Sequence, residues 1–252
     1  MSMERVMEGR IKVEICVGDL ESALAAEAGG ADRVELCDNL AVGGTTPGPG
    51  TIAVACGRIK IPVHVIIRPR GGDFIHSEAE LAAMRMEIEV AKSLGAAGVV
   101  FGMLNPDATI DRERTERFVA LARPMSVTFH KAFDQTRDPF AALETLMELG
   151  VDRVLTSGCR PSALEGAGVL AGLVAQARGR IAILAGGRLS LENARQVIKL
   201  TGVREVHLGS AATRVRNSPM DPSPGDGSDT SWNSVDPDAV RRIVETVALA
   251  AK

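Results

Sequence analysis

Eight times along its 252 residues, the chain writes a short apolar run rich in β-branched residues and then a stretch with helical spacing. Such alternation is the sequence form of repeated βα units, because a strand that pairs in parallel with the next needs a crossover long enough to hold a helix. The strand-like runs cover residues 13–17, 33–37, 63–67, 98–102, 126–130, 153–156, 181–185 and 205–208. Between them DLESALAAEAGGAD has Asp19 as a helix cap and Gly29-Gly30 as a stop. EAELAAMRMEIEVAKSLG, DPFAALETLMELG and LENARQVIKLTG repeat that scheme, each closing on a glycine before the next strand. Eight units in roughly 250 residues satisfy a (β/α)8 barrel, the TIM-barrel architecture. A doubly wound open sheet is the alternative with the same alternation.

With 45% hydrophobic and 24% charged residues and no shift of composition, residues 1–252 read as a single α/β domain around one large core. A formal charge of −3 speaks against a general nucleic-acid or anionic-membrane surface, both of which want a basic excess. No apolar run has the length of a membrane span, and MSMERVMEGR leads into a strand. A cytoplasmic protein with free thiols is expected, since the four cysteines show no Cys-x-x-Cys spacing. Residues 214–234, rich in Pro, Gly, Ser and Asp, predict a long loop after the eighth strand. It would lie over the barrel mouth as a lid carrying Trp232, or be a plain surface insertion.

The unusual polar residues gather at the C-terminal ends of the strands, where barrels build their sites. Glu14 and Cys16 end the first apolar run, and Glu35 and Cys37 end the second. Period-two spacing puts each Glu and Cys on one face, and neighbouring parallel strands lie about 4.8 Å apart. Two thiols and two carboxylates are therefore expected to meet in the barrel mouth. Cys16 and Cys37 suit two-thiolate binding of a soft ion such as Cu(I). Zinc fits less well, because no third and fourth soft ligand has a recognisable spacing. Plain buried thiols are the alternative.

Strand three runs into Arg68, Arg70 and Asp73, and strand five into His130, Lys131 and Asp134. A buried carboxylate needs a cation or donors, which makes Arg68 the expected partner of Glu14 or Glu35. Glu14, Glu35, Arg68 and His130 are thus the candidate catalytic set, with a purely structural ion-pair network as the competing reading. The turns after strands seven and eight place Gly186, Gly187, Arg188, Gly209 and Ser210 where barrels often cradle phosphate. Arg70 joins them as a candidate anion-binding residue.

Taken in order, EICV, GGADRVELC, GGTTP, IPVHVIIRPRGGDF, VTFHKAFD, RVLTSG and SALEG resemble the CutC family, named for copper homeostasis, with the similarity running over residues 13–212. The resemblance implies a (β/α)8 barrel that forms a dimer or larger homo-oligomer. It also implies that Cys16 and Cys37 match cysteines proposed as Cu(I) ligands in animal members. Where some bacterial members carry a further sulfur or hydroxyl residue after the eighth-strand His, Leu208 follows His207 here, which speaks against a third ligand from that strand.

Two functions follow as expectations. One is Cu(I) binding through Cys16 and Cys37, with no organic cofactor. The other is an enzyme acting on a small anionic or phosphorylated molecule through Glu35 and His130, with Arg68 and Arg70 holding the anion.

Overall fold

The computed structural model describes residues 10–217 and 231–250. Eight parallel strands close on themselves: β1 (Lys12–Val17), β2 (Arg33–Leu36), β3 (Val63–Ile66), β4 (Gly98–Phe101), β5 (Ser126–Phe129), β6 (Arg153–Thr156), β7 (Ala182–Gly186) and β8 (Glu205–Leu208). Each pairs with the next, and β8 returns to β1, so the barrel has no free edge. Helices α1 (Leu20–Ala28), α2 (Pro49–Arg58), α3 (Glu78–Ser93), α4 (Arg112–Ala122), α5 (Pro139–Glu148), α6 (Ala167–Ala177), α7 (Ala194–Thr201) and α8 (Pro237–Ala248) complete the units. The barrel is the architecture expected from the alternation, and its strand bounds fall within one residue of those read from the sequence.

Local chemistry explains where the helices begin. Asp19 accepts from the Ser22 amide at the start of α1, and Ser77 with Glu80 forms a reciprocal capping box on α3. Pro139 and Pro237 occupy the first turns of α5 and α8, where a missing N–H is harmless.

The strands divide their side chains by parity. Val13, Ile15, Val34, Leu36, Val65, Val99, Phe101, Val127, Phe129, Val154 and Val206 belong to the large apolar core. The opposite parity carries Glu14, Arg33, Glu35, His64, Thr128, Arg153 and Glu205, all buried. Most of the hydrophobic stabilisation thus lies between barrel and helices, and the inside of the barrel is unusually polar. A small separate apolar group of Cys37, Ile66 and Val100, with Cys16 against it, sits among those charges.

Residues 214–234 were expected to be a loop throughout, and the two ends of that segment are strands instead. β9 (Thr213–Asn217) and β10 (Ser231–Val235) form an antiparallel ribbon, while residues 218–230 lie outside the described residues. The ribbon is tied down because the Val235 amide donates to Ser22 Oγ at 3.1 Å and the Asp236 amide to the Ala212 carbonyl at 2.8 Å. No helix among the described residues is long and apolar enough to cross a membrane.

Candidate functional site at the barrel mouth

Strand pairing decides which of the predicted residues meet. Cys16 stands opposite Glu35 and Glu14 opposite Arg33, so the two Glu-x-Cys runs are staggered by two residues rather than aligned. Stagger of this kind accompanies closure of a sheet into a barrel. It brings Cys16, Glu35 and Cys37 together at the mouth and leaves Glu14 one step deeper. The two sulfurs are 3.7 Å apart, and Cys37 Sγ lies 3.6 Å from Glu35 Oε2. One ligand atom from each of these three residues lies within 4.8 Å of the others. All four cysteines are unbridged.

Glu14 does not pair with Arg68, contrary to the expectation from strand order. Its carboxylate takes the Arg33 Nε–H on one side and His207 Nδ1, at 2.7 Å, on the other. Glu35 does not pair with Arg68 either, and its nearest cationic group is His207 Nε2 at 3.8 Å. Arg33 continues to Glu205 at 2.8 Å, and Glu205 accepts from Arg153 at 2.5 Å. A file of alternating charge therefore runs up the inside of the barrel, from Arg153 through Glu205, Arg33 and Glu14 to His207 and the thiols. Arg33, Arg153, Glu205 and His207 were not among the candidates. Their signal was present, because Arg33 shares the face of Glu35, and Glu205 that of His207, by period two.

The electrostatics follow from this order. Burial would push the Glu14 carboxyl up, but the Arg33 charge and the His207 hydrogen bond outweigh it and hold the group well below the ordinary carboxylate range. His207 is likewise disfavoured as a cation by burial. Hydrogen bonds to Cys16 and Glu14, with the charges of Glu35 and Glu14, reverse that and raise it well above its usual value. Cys16 is brought down to about 5, chiefly by the hydrogen bond from Cys37 and then, against burial, by His207. Cys37 is raised because it supplies that proton, and burial adds to the effect. Burial and the negative charge of Cys16 raise Glu35 well above the carboxylate range. At neutral pH the mouth thus holds a thiolate on Cys16 and a thiol on Cys37 beside the imidazolium of His207.

A cavity of about 350 Å³ opens beside the thiols. Its wall includes Cys16, Glu35, Arg68, Phe74, His130, Lys131, His207, Gly209 and Ser210, with Thr213 and Asn233 contributed by the ribbon. Trp232 is half exposed and is not part of that wall. Arg68 is buried, and its guanidinium donates to the carbonyls of Val42, Gly44 and Gly72 while lying 5.0 Å from the Phe74 ring. Arg70 is engaged elsewhere, in ion pairs with Glu80 at 2.6 Å and Asp73 at 3.0 Å. Gly209 and Ser210 reach the cavity wall, whereas Gly186, Gly187 and Arg188 are not part of it. Gly186 leaves room for Leu155 and His207, since a Cβ there would fall 2.6 Å from Leu155 Cδ1.

His130 is buried, and burial followed by the nearby Arg68 charge lowers it to about 3, so it is neutral. Its Nδ1 accepts from the Ala132 amide at 3.2 Å. Gly102, just after the neighbouring strand β4, makes room for that ring edge, because a Cβ there would sit 2.5 Å from Nδ1. His64 has the same relation to Gly98, 2.5 Å from its Nε2, and burial lowers it to about 3.

The profile of the CutC family matches residues 11–212. The human copper homeostasis protein cutC homolog is 49% identical over 202 residues, which are 80% of this chain and 74% of the human one. A CutC family protein of Mesorhizobium japonicum is 50% identical over 198 residues, covering 79% of this chain and 77% of its own. The crystal structure of CutC from Streptococcus agalactiae superposes with a TM-score of 0.75 at 35% identity, over 79% of this chain and 98% of that one. The N-(5'-phosphoribosyl)anthranilate isomerase of Pyrococcus furiosus superposes with a TM-score of 0.59 at 16% identity, over 94% and 98%, and shares the barrel alone.

Proposed function

The chain belongs to the CutC family, and from that premise we propose that it acts in copper homeostasis by holding Cu(I) between Cys16 and Cys37 at the barrel mouth. What carries the reading is the pair of sulfurs 3.7 Å apart with a Glu35 oxygen beside them. Soft thiolates select Cu(I), and a donor set of two sulfurs and one carboxyl oxygen does not suit a hard cation that wants six or more oxygens. Cys16 is already ionised at neutral pH, so one ligand needs no deprotonation. His207 and the charge file behind it keep that thiolate stable inside the barrel before the ion arrives.

Two metal–sulfur bonds of about 2.3 Å laid end to end would span about 4.6 Å. The sulfurs must therefore part by roughly 1 Å for linear binding, or stay as they are around a bent arrangement that Glu35 closes. X-ray absorption on the Cu(I)-loaded protein tests the reading. Two sulfur neighbours per copper are expected, and a copper shell of nitrogen or oxygen alone overturns it.

A further inference from the structure

The cavity beside the thiols is far larger than one ion needs and falls at the lower end of small-molecule sites, which run from roughly 300 to 1,000 Å³. Two of its walls carry polar groups that the fold leaves unanswered. Arg68 is 4% exposed, and among the described residues no carboxylate pairs with it; its donors go to neutral carbonyls, and its Nε has no partner. A buried cation answered only by dipoles is costly unless an anion comes to it.

His130 is the second group. It is 5% exposed, and because its Nδ1 accepts the Ala132 N–H, the neutral ring must carry its proton on Nε2. Among the described residues that N–H has no acceptor. His130 lines the cavity, and with Nδ1 taken up by the Ala132 amide, Nε2–H is the ring group left for a ligand there. Phe74 packs against both residues, 4.7 Å from the His130 ring and 5.0 Å from the Arg68 guanidinium, and fixes them beside each other. Lys131 adds an ammonium to the same wall. It is steered by Asp134, 3.6 Å away, whose carboxylate is itself pinned by Thr156, Ser157 and the Cys159 amide.

We infer that this half of the cavity binds a small organic oxyanion, a carboxylate or phosphate. One of its oxygens accepts from His130 Nε2–H, and its charge is answered by Arg68 and Lys131. The ligand then lies against Cys16 and Glu35, so the anion and the thiol site occupy one cavity.

Calorimetric titration of the metal-free full chain with inorganic phosphate, glycerol 3-phosphate and pyruvate tests this. Saturable 1:1 binding of at least one probe is expected. It should weaken at least tenfold in His130→Leu and three- to tenfold in Lys131→Met, whose exposed side chain makes misfolding no issue, and it should persist in Cys16→Ser/Cys37→Ser. Binding of the phosphates and not pyruvate assigns a phosphate ligand, and the reverse a carboxylate. The inference is overturned if none of the three probes binds below 10 mM, or if the binding seen is unchanged in both His130→Leu and Lys131→Met.

Discussion

Glu14 Oε1 lies 2.7 Å from His207 Nδ1, and the other oxygen of the same carboxylate takes the Arg33 guanidinium. This one side chain joins the cationic floor of the barrel to the imidazolium that faces the thiols. Replacing it as Glu14→Gln leaves Arg33 and His207 buried with less than their full counter-charge. Removal of one member of a buried ion pair costs about 3–5 kcal/mol. Urea unfolding should show a loss of that order, and the histidine signal of His207 should titrate at lower pH than in the parent.

Gly98 and Gly102 have a structural duty in β4 and just beyond it. A methyl group at either position would stand 2.5 Å from an imidazole nitrogen, of His64 or His130 respectively. Gly98→Ala and Gly102→Ala should each destabilise the fold by about 1–3 kcal/mol through overpacking. Denaturant midpoints check this, and a shift of the His130 resonances only in Gly102→Ala would assign the displacement to that ring.

The buried neutral histidines make the fold acid-sensitive. His64 is held at about 3 by burial, against an ordinary 6.5. Between these values the unfolded chain binds the proton and the native one does not, so stability is complete above pH 6.5 and falls as pH drops below it. His207 has the opposite sign, because its value is raised; its contribution is fully present below pH 6.5 and does not mask the effect. Glu35, whose carboxyl is raised, acts the other way in this window, and His64 and His130 together outweigh it. Stability measured between pH 6 and 4.5 should therefore fall with pH, and His64→Gln should reduce the slope by up to about 1.4 kcal/mol per pH unit.

Copper affinity should carry the same kind of signature. Cys16 is ionised above about pH 5, whereas Cys37 keeps its proton. Binding as two thiolates then releases one proton per ion at neutral pH and two below pH 5. The Cu(I) dissociation constant is expected to rise about tenfold per unit of acidification from pH 8 to 6, and about a hundredfold per unit below 5, in a chelator competition series.

The strands, their number and their ends were legible because period-two runs, helix caps and closing glycines are local signals. The pairing of the charges was not. Arg68 follows an apolar strand and looks like the natural partner of a mouth carboxylate, yet the register of β1 on β2 puts Arg33 opposite Glu14. That register is a property of barrel closure and leaves no mark on either strand alone. His207 was visible as a residue of the eighth strand, but its importance depends on β8 returning to β1, which sets it opposite Glu14. The ribbon of β9 and β10 was missed because TRVRN and SWNSV flank a Pro- and Gly-rich stretch and are too short and polar to stand out from it. The cysteines could be singled out from spacing alone, since neighbouring strands of either register would bring their sulfurs to the same end.

The most direct measurement is competition between the protein and a high-affinity Cu(I) chelator under reducing conditions, for the parent chain and for Cys16→Ser/Cys37→Ser. The parent should take up about one Cu(I) per chain and the double variant none, with both keeping the same circular dichroism. Undiminished uptake by a folded double variant would contradict the assignment of copper to these two thiols.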